Sequence, residues 1–371
     1  MYCTCIIQAR SLLNASAAQP FPPSTTPAAR PPDHATTIEV RKPYLLFLGE
    51  AEHISQAKTA CGLRDWTAES CLGQWSLPGC RVSLDLPELR PAAAAARGAA
   101  SLVIGIAPVG GRVYPSWIPA LFEAIEAGLD IVSGMHTPLA EVAGLAEAAL
   151  ARGVRLVDVR RPPAGLPTGS GRKRSGKRLL TVGTDCALGK KYTALALTNA
   201  LHDHGVDADF RATGQTGILI AGSGIPLDAV VADFCAGAAE CVSPDAAPEH
   251  WDVIEGQGSL FHPAYAGVTL GLVHGSQPDA LVLCHDPTRI RIFAFPDFPT
   301  PPLEMAIERY LAAARLTNPA ARMVGIAFNT SMLDAAARAR LLTDAEQRLG
   351  LPCFDPLKTP LDAVVQGILA L

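Results

Sequence analysis

The chain of 371 residues has no apolar run of about 18 or more residues, the length a helix needs to cross a bilayer. Its apolar stretches are shorter and are broken by Gly, Asp or Pro, so they read as buried strands and helices. It also lacks the basic excess that accompanies nucleic-acid binding, because the formal net charge is -4. Charged residues make up 18 % of the chain against 49 % hydrophobic, which describes a globular protein rather than a disordered one. We therefore expect a cytoplasmic protein whose partners are small molecules, with neither nucleic acid nor membrane among them.

Disulfide and metal signatures are missing as well. The ten cysteines are scattered through a long chain, and Cys235, Cys284 and Cys353 fall in apparent core segments, as reduced buried thiols do. Cys3-Thr-Cys5 and His202-Asp-His204 lack the companions of a four-ligand zinc site, so no metal is expected. The first forty residues are rich in Pro, Ala, Ser and Thr, have no acidic residue before Asp33, and lack the ordered parts of a secretory signal. Residues 1–42 are expected to be a disordered N-terminal extension.

What is present is an alternation of short strands and helices, the pattern of an α/β fold with parallel strands and crossover helices. Strands are expected at Tyr44–Leu48, Leu102–Ile106, Asp130–Val132 and Leu156–Val159, with helices at Trp117–Ala127 and Leu139–Arg152. Residues 43–160 thus form a Rossmann-like domain. It has no dinucleotide fingerprint, since Gly49 is followed by Glu-Ala-Glu-His and not by G-x-G-x-x-G. The stretch holding Cys61, Trp66, Cys71, Trp75 and Cys80 reads as an irregular packed excursion, or else as a substrate wall or dimer contact. Residues 161–177, rich in Pro, Gly, Lys and Arg, read as a linker. Its basic residues Arg172, Lys173, Arg174 and Lys177 are expected to be solvated, or to draw in an anion.

The second domain, 178–371, is expected to be P-loop NTPase-like with a mostly parallel sheet. Strands at 178–183, Val206–Ala212, Trp251–Ile254, Ala280–Cys284 and Met323–Phe328 each lead into polar residues, and a helix is expected at Leu227–Cys241. The carboxyl ends of parallel strands are where such sheets bind ligands. After the first of these strands comes Gly183-Thr-Asp-Cys-Ala-Leu-Gly-Lys190-Lys191, a glycine-framed loop that opens a helix. Such a loop aims backbone N–H groups at a polyanion. Lys191 stands where a magnesium-holding Ser or Thr is expected, and Thr193 lies too far along the helix. That suits holding a polyphosphate more than breaking one. The candidate cofactor contacts are Gly183, Thr184, Cys186, Gly189, Lys190, Lys191 and Asn329.

Glu255 opens a second glycine loop and His262 follows it; both are candidates for acid–base work, with a capping carboxylate or a structural histidine as the plainer readings. Asp185 is unusual within a phosphate loop, and could orient a lysine or a substrate amine. Arg211 could clamp a carboxylate or pair with a structural acid. Together with Gln215 and Gln257 it makes up the candidate substrate contacts.

The loop Gly183 to Lys190 resembles that of dethiobiotin synthetase, as do Glu255-Gly-Gln-Gly258 and Asn329, which is similar to that enzyme's adenine-reading asparagine. A fuller resemblance starts near Pro43. Tyr44-Leu-Leu-Phe-Leu-Gly49, Ser116-Trp-Ile-Pro119, Ser133-Gly-Met-His136, Ala212-Thr-Gly-Gln-Thr-Gly217, Ile254-Glu-Gly-Gln-Gly258 and His274-Gly-Ser-Gln-Pro278 are similar to the two-domain family that contains D-glutamate N-acetyltransferase. The resemblance implies an N-terminal Rossmann-like domain, a C-terminal P-loop domain and a homo-oligomer. It also implies transfer of acetyl from acetyl-CoA to the amine of a D-amino acid, D-glutamate first, in D-amino acid catabolism. By their own chemistry rather than by the resemblance, the loop would hold the CoA phosphates, Glu255 or His262 would take the ammonium proton, and Arg211 or Lys191 would hold substrate carboxylates. An ATP/Mg-dependent ligase or kinase of the dethiobiotin synthetase type is the disfavoured alternative, and a nucleotide sensor without catalysis is a third.

Overall fold

Runs of Leu, Val and Ile without alternation mark strands buried on both faces, and such strands stand at the centre of the two larger sheets among the described residues. The computed structural model describes residues 37–106 and 111–371. Among these, one compact unit takes in Ile38–Pro162 and Ile218–Ser223, and a second takes in Pro163–Gly217 and Gly224–Leu371.

The first unit holds β1 (Tyr44–Gly49), β2 (Cys71–Ser76), β3 (Ser101–Ile104), β4 (Asp130–Ser133) and β5 (Leu156–Asp158). They form one parallel sheet in the order β2-β1-β3-β4-β5, a doubly wound arrangement. β1 and β3 are buried at every position.

Three expectations change here. The supposed irregular excursion contains a helix, α1 (Lys58–Trp66), and the sheet strand β2. The strand was hidden because Gly73 and Gln74 sit at its centre, and Gly73 is required: a Cβ there would lie 2.6 Å from the Leu89 side chain and the Pro87 carbonyl. The long helix expected at Leu139–Arg152 is only α2 (Leu145–Arg152) after a single turn at Leu139–Glu141, interrupted at Gly144, whose φ is 76°. Residues 37–42 also belong to the fold: Ile38–Glu39 is a short strand, and Arg41 pairs with Asp130, which is fully buried on β4 and also holds Arg155 at 2.8 Å. The expectation for residues 1–36, and with it Cys3 and Cys5, lies outside the described residues.

The second unit holds β6 (Lys177–Gly183), β7 (Ala208–Arg211), β8 (Trp251–Ile254), β9 (Ala280–His285), β10 (Arg322–Phe328) and β11 (Cys353–Phe354). All run parallel, in the order β11-β10-β9-β6-β8-β7. Every carboxyl end therefore lies along one edge, with β6 between β9 and β8. The helices that matter below are α3 (Lys190–Asp203), α4 (Gln215–Ala221), α5 (Ala232–Val242), α6 (Ala266–Ser276), α7 (Leu303–Ala314) and α8 (Ala335–Leu349). The helix expected from Leu227 begins later, because Leu227–Ala229 is a separate turn. Leu180 and Val182 of β6 pack with Leu281, Leu283 and Ile326 of the neighbouring strands and with Ala238, Leu272 and Tyr310 of α5, α6 and α7.

The basic stretch before β6 is structural. Arg174 is buried and donates to the carbonyls of Ser243 and Gly275, at the C-terminal ends of α5 and α6, where helix carbonyls are left over and a cation is favoured. Arg172 pairs with Asp245, and Lys173 with Asp279. Arg172 and Lys173 stay exposed beside these acids, as a solvated linker would have them, while Arg174 is the buried exception. Among the described residues eight cysteines are free thiols, and no helix is long and apolar enough to cross a membrane.

Candidate active site

The loop between β6 and α3 is pinned at both ends. On the strand side, the Gly183 carbonyl accepts from Ser259 Oγ at 2.8 Å and Tyr310 Oη at 2.7 Å, and Thr184 N donates to the Cys284 carbonyl at 3.1 Å. On the helix side, Gly189 adopts φ 109° as it caps α3, a conformation that glycine takes without strain. Ala187 is also left-handed, at φ 53°.

Asp185 supplies the brace between them. It is fully buried, and Oδ1 accepts from Cys186 N at 2.6 Å. Oδ2 accepts from Arg289 Nη1 at 2.9 Å and Phe293 N at 2.7 Å. Its charge is met by Arg289, so it does not face an anion bound at the loop, and its carboxylate does not orient Lys190. The Lys190 ammonium donates instead to the Asp185 backbone carbonyl, at 2.9 Å. Burial pushes the Lys190 pKa down. An ammonium so placed, at the N-terminus of a 14-residue helix, is stabilised by an incoming anion.

Magnesium chemistry finds less support. Position 191 carries a cation, which lies over the Tyr192 ring at 4.8 Å. The Thr193 hydroxyl accepts from the Cys284 thiol at 3.4 Å and lies within α3. Asp185, Cys186 and His262 bring potential ligand atoms within 4.8 Å of one another. With both Asp185 oxygens in use and Arg289 beside them, these residues fit a braced loop better than a resident cation.

One strand over, Glu255 follows β8 and is 5 % exposed. Its Oε2 accepts from the backbone N–H groups of Thr213 and Gly214, each at 3.0 Å. Burial raises its pKa to about 6, against the opposing pull of Lys191 and those two N–H groups. Two glycines make the place for it. A Cβ on Gly217 would sit 2.2 Å from Oε2, and one on Gly256 would sit 1.7 Å from the Thr181 carbonyl. Gln257 Nε2 donates to Thr213 Oγ1 at 3.2 Å, and Gln215 opens α4 just beyond Gly214.

His262 is buried, with its ring stacked on Tyr265. Nδ1 accepts from Ala264 N at 3.2 Å, which assigns the proton of the neutral ring to Nε2. Nε2 is buried with no hydrogen-bond partner among the described residues. The ring is thus set up as a donor.

The structure gathers the loop from Gly183 to Lys190, Lys191, Glu255, Gln257 and His262 around the ends of β6 and β8. Arg211 is not part of that group: Asp252 at 2.5 Å and Asp209 at 3.1 Å hold its guanidinium, so the plainer reading is the one its geometry supports. Asn329 lies at the end of β10, two strands from the loop, and its Oδ1 accepts from Ser331 N at 3.1 Å. Arg289, Tyr310 and His285 are the residues that sequence reasoning left out. His285 was visible as a polar residue ending a strand, and its Nδ1 lies 2.9 Å from Thr184 Oγ1.

Known proteins share this pair of domains. Residues 75–162 match the DUF1611_N Rossmann-like domain, and residues 166–365 match the DUF1611_C P-loop domain, both described as domains of unknown function. The chain belongs to the DUF1611 family. A DUF1611 protein from Anabaena variabilis, solved as a crystal structure, is 34 % identical with a TM-score of 0.76, over 89 % of this chain and 100 % of that one. Two further relatives are both named D-glutamate N-acetyltransferase. The one from Pseudoalteromonas sp. is 47 % identical over 89 % of this chain and 100 % of its own length. That from Tritonibacter scottomollicae is 48 % identical over 89 % of this chain and 99 % of its own. The expected pairing of a Rossmann-like and a P-loop domain in this DUF1611 chain is what the structure displays.

Proposed function

We propose that this DUF1611 chain moves an acetyl group from acetyl-CoA to the amine of D-glutamate, as a step in D-amino acid breakdown. The names of its relatives support the acceptor and the reaction class. The loop chemistry supports the donor: coenzyme A carries a pyrophosphate, which suits a cradle with two lysines and no hydroxyl at the magnesium position.

The observation that carries the reading is the Glu255 carboxylate, buried beside that cradle with its pKa raised to about 6. A base tuned toward neutrality is ionised in use yet basic enough to accept a proton. In the proposed step it removes a proton from the D-glutamate ammonium. The freed amine forms a bond to the thioester carbonyl carbon, the C–S bond breaks, and the second proton shed by the nitrogen passes to the departing CoA thiolate. Backbone N–H groups of the glycine loops would hold the transient oxyanion. Lys191, whose charge is felt at Glu255, would meet a substrate carboxylate.

The test is release of free thiol from acetyl-CoA that depends on D-glutamate, with N-acetylglutamate identified by mass. Calorimetry with acetyl-CoA and with ATP and magnesium, run in parallel, addresses the donor. Tight ATP binding without acetyl-CoA binding would contradict the proposal.

A further inference from the structure

Between β9 and α7 the chain forms a small antiparallel hairpin, with Arg291–Ile292 paired to Phe295–Pro299. Its turn holds Ala294 in the left-handed region at φ 63°, and Thr300 N closes its base on the Ile290 carbonyl at 3.1 Å. The strand order makes this hairpin a strap. It leaves from β9, on one side of β6, and reaches groups carried by the loops after β6 and β8. Phe293 N and Arg289 Nη1 meet Asp185 on the first of these loops. The Phe295 ring lies edge-on to His262 on the second, with ring centres 5.0 Å apart. The strap therefore crosses the phosphate loop toward the side that carries Glu255.

Little holds the strap down. A two-stranded ribbon is marginal by itself. Of residues 290–299 only Ile292 is buried, while Ile290, Phe293 and Phe298 are 77 %, 58 % and 48 % exposed. Its polar hold is local: the Asp185 carboxylate, which also accepts from Cys186 N, and the Cys186 carbonyl, which accepts from Arg289 at 2.6 Å. A segment with so few buried contacts opens at a lower free energy than the sheet beneath it. Residues 185 and 186 belong to the loop that is to hold the phosphates, so the strap and a bound anion act on one piece of backbone.

Beside the strap is a group that a ligand could satisfy. His262 Nε2 is a buried donor with no partner among the described residues, and its ring is stacked on Tyr265 and met by Phe295. Buried donors are nearly always satisfied, so an unpaired one next to a ligand loop calls for an acceptor from outside the chain. The pantetheine arm of the donor, running from phosphates at β6 toward Glu255, would pass between the strap and His262. It brings carbonyl oxygens for the N–H and methyl and methylene groups for Phe295. We propose that the hairpin is a lid that lifts to admit acetyl-CoA and closes on its arm, with Asp185 and Arg289 as the latch. The closed lid touches the arm and the open one does not, and that difference is what lets binding favour closure. This rests on the acetyl-CoA reading above and adds to it a moving part.

The experiment is hydrogen exchange read by mass spectrometry on the full chain, alone and with acetyl-CoA, inorganic pyrophosphate or D-glutamate, with binding of each followed by calorimetry. Peptides from 290–299 should exchange early in the protein alone. Saturating acetyl-CoA should slow them about tenfold, a usual scale for coupling between a ligand and a local equilibrium. Pyrophosphate, which has no arm, should slow them much less, and D-glutamate alone not at all. Peptides of β1 and β3 in the first unit should not change. Phe295→Ala, at a half-buried position, should speed hairpin exchange in the protein alone and raise KM for acetyl-CoA, with KM for D-glutamate unchanged. If acetyl-CoA binds and 290–299 exchanges as before, or if D-glutamate alone protects the hairpin, the lid is overturned and acetyl transfer stands. If acetyl-CoA does not bind, the donor reading fails and the lid fails with it.

Discussion

Asp252, near the start of β8, and Glu255, just past its end, are both nearly excluded from solvent, and their pKa values are shifted in opposite directions. Burial raises the pKa of each. At Asp252 the hydrogen bond from His250 and the charge of Arg211 outweigh burial and hold the carboxyl below its usual range. His250 is itself bonded to Asp207 at 2.9 Å, and Arg211 to Asp209, so Asp252 belongs to a charge network on the edge of the sheet. Glu255 has two backbone N–H donors and the more distant Lys191, which do not offset burial. The difference teaches how to sort buried acids. One whose charge is matched by fixed cations is part of the scaffold, while one left under-matched beside a ligand loop is poised to take a proton.

The comparison breaks most visibly at Glu255 itself. Glu255→Gln should lower kcat by about 100- to 10,000-fold, the usual worth of a general base. The same variant should be more stable at neutral pH, by about 2 kcal/mol if the whole shift is recovered. Turnover and chemical denaturation measured on one preparation check both halves. Asp252→Asn should do the reverse, costing about 3 kcal/mol or more by leaving Arg211 and His250 under-matched, with kcat reduced less than about threefold. Similar behaviour in the two variants would dissolve the distinction.

Gly217→Ala gives a finer test, since its Cβ would meet Oε2 of Glu255 at 2.2 Å. Alanine within a helix is ordinarily stabilising by up to about 1 kcal/mol. Here it should instead displace the base and lower kcat about tenfold, with KM for acetyl-CoA little changed. The smallest effect is the pH dependence of stability. The raised Glu255 pKa costs stability above about 6, and that cost fades as pH falls through 6 toward the ordinary 4.5. Asp252, with its depressed pKa, contributes stability above the ordinary carboxylate range and loses it as pH falls through the folded value. The raised pKa of His250 contributes below its ordinary 6.5 and is lost as pH rises through the folded value. The stability gain of Glu255→Gln and the loss of Asp252→Asn should therefore both shrink in acid, which denaturation at two pH values would show.

Much of the site was legible because its chemistry is local in sequence. Gly183, Gly189 and Lys190 stand between a buried strand and a helix, and Glu255 ends another strand, so spacing alone brings them to one edge. Arg289 was not legible, since nothing near it in the chain announces that Asp185 is its partner, and without it Asp185 looked available for catalysis. The same holds for Tyr310, which reaches the Gly183 carbonyl from α7. Sequence left Arg211 open between a clamp and a structural pair, because its two acids come from its own strand and the next, a register that periodicity does not reveal. In the first unit, β2 lacked the apolar signature of a strand because Gly73 had to admit Leu89. In each case the missing information is a tertiary contact that local sequence does not carry.

The central claim is that Glu255 is the base that frees the D-glutamate amine at the mouth of the phosphate cradle. Its most direct test is the pH dependence of kcat with saturating acetyl-CoA and D-glutamate. The account predicts that the rate falls in proportion to acidity below about 6, as a single carboxyl is protonated, and that this limb is lost in Glu255→Gln. A wild-type rate that stays level well below 6, or a Glu255→Gln variant that keeps both the limb and the rate, would contradict it.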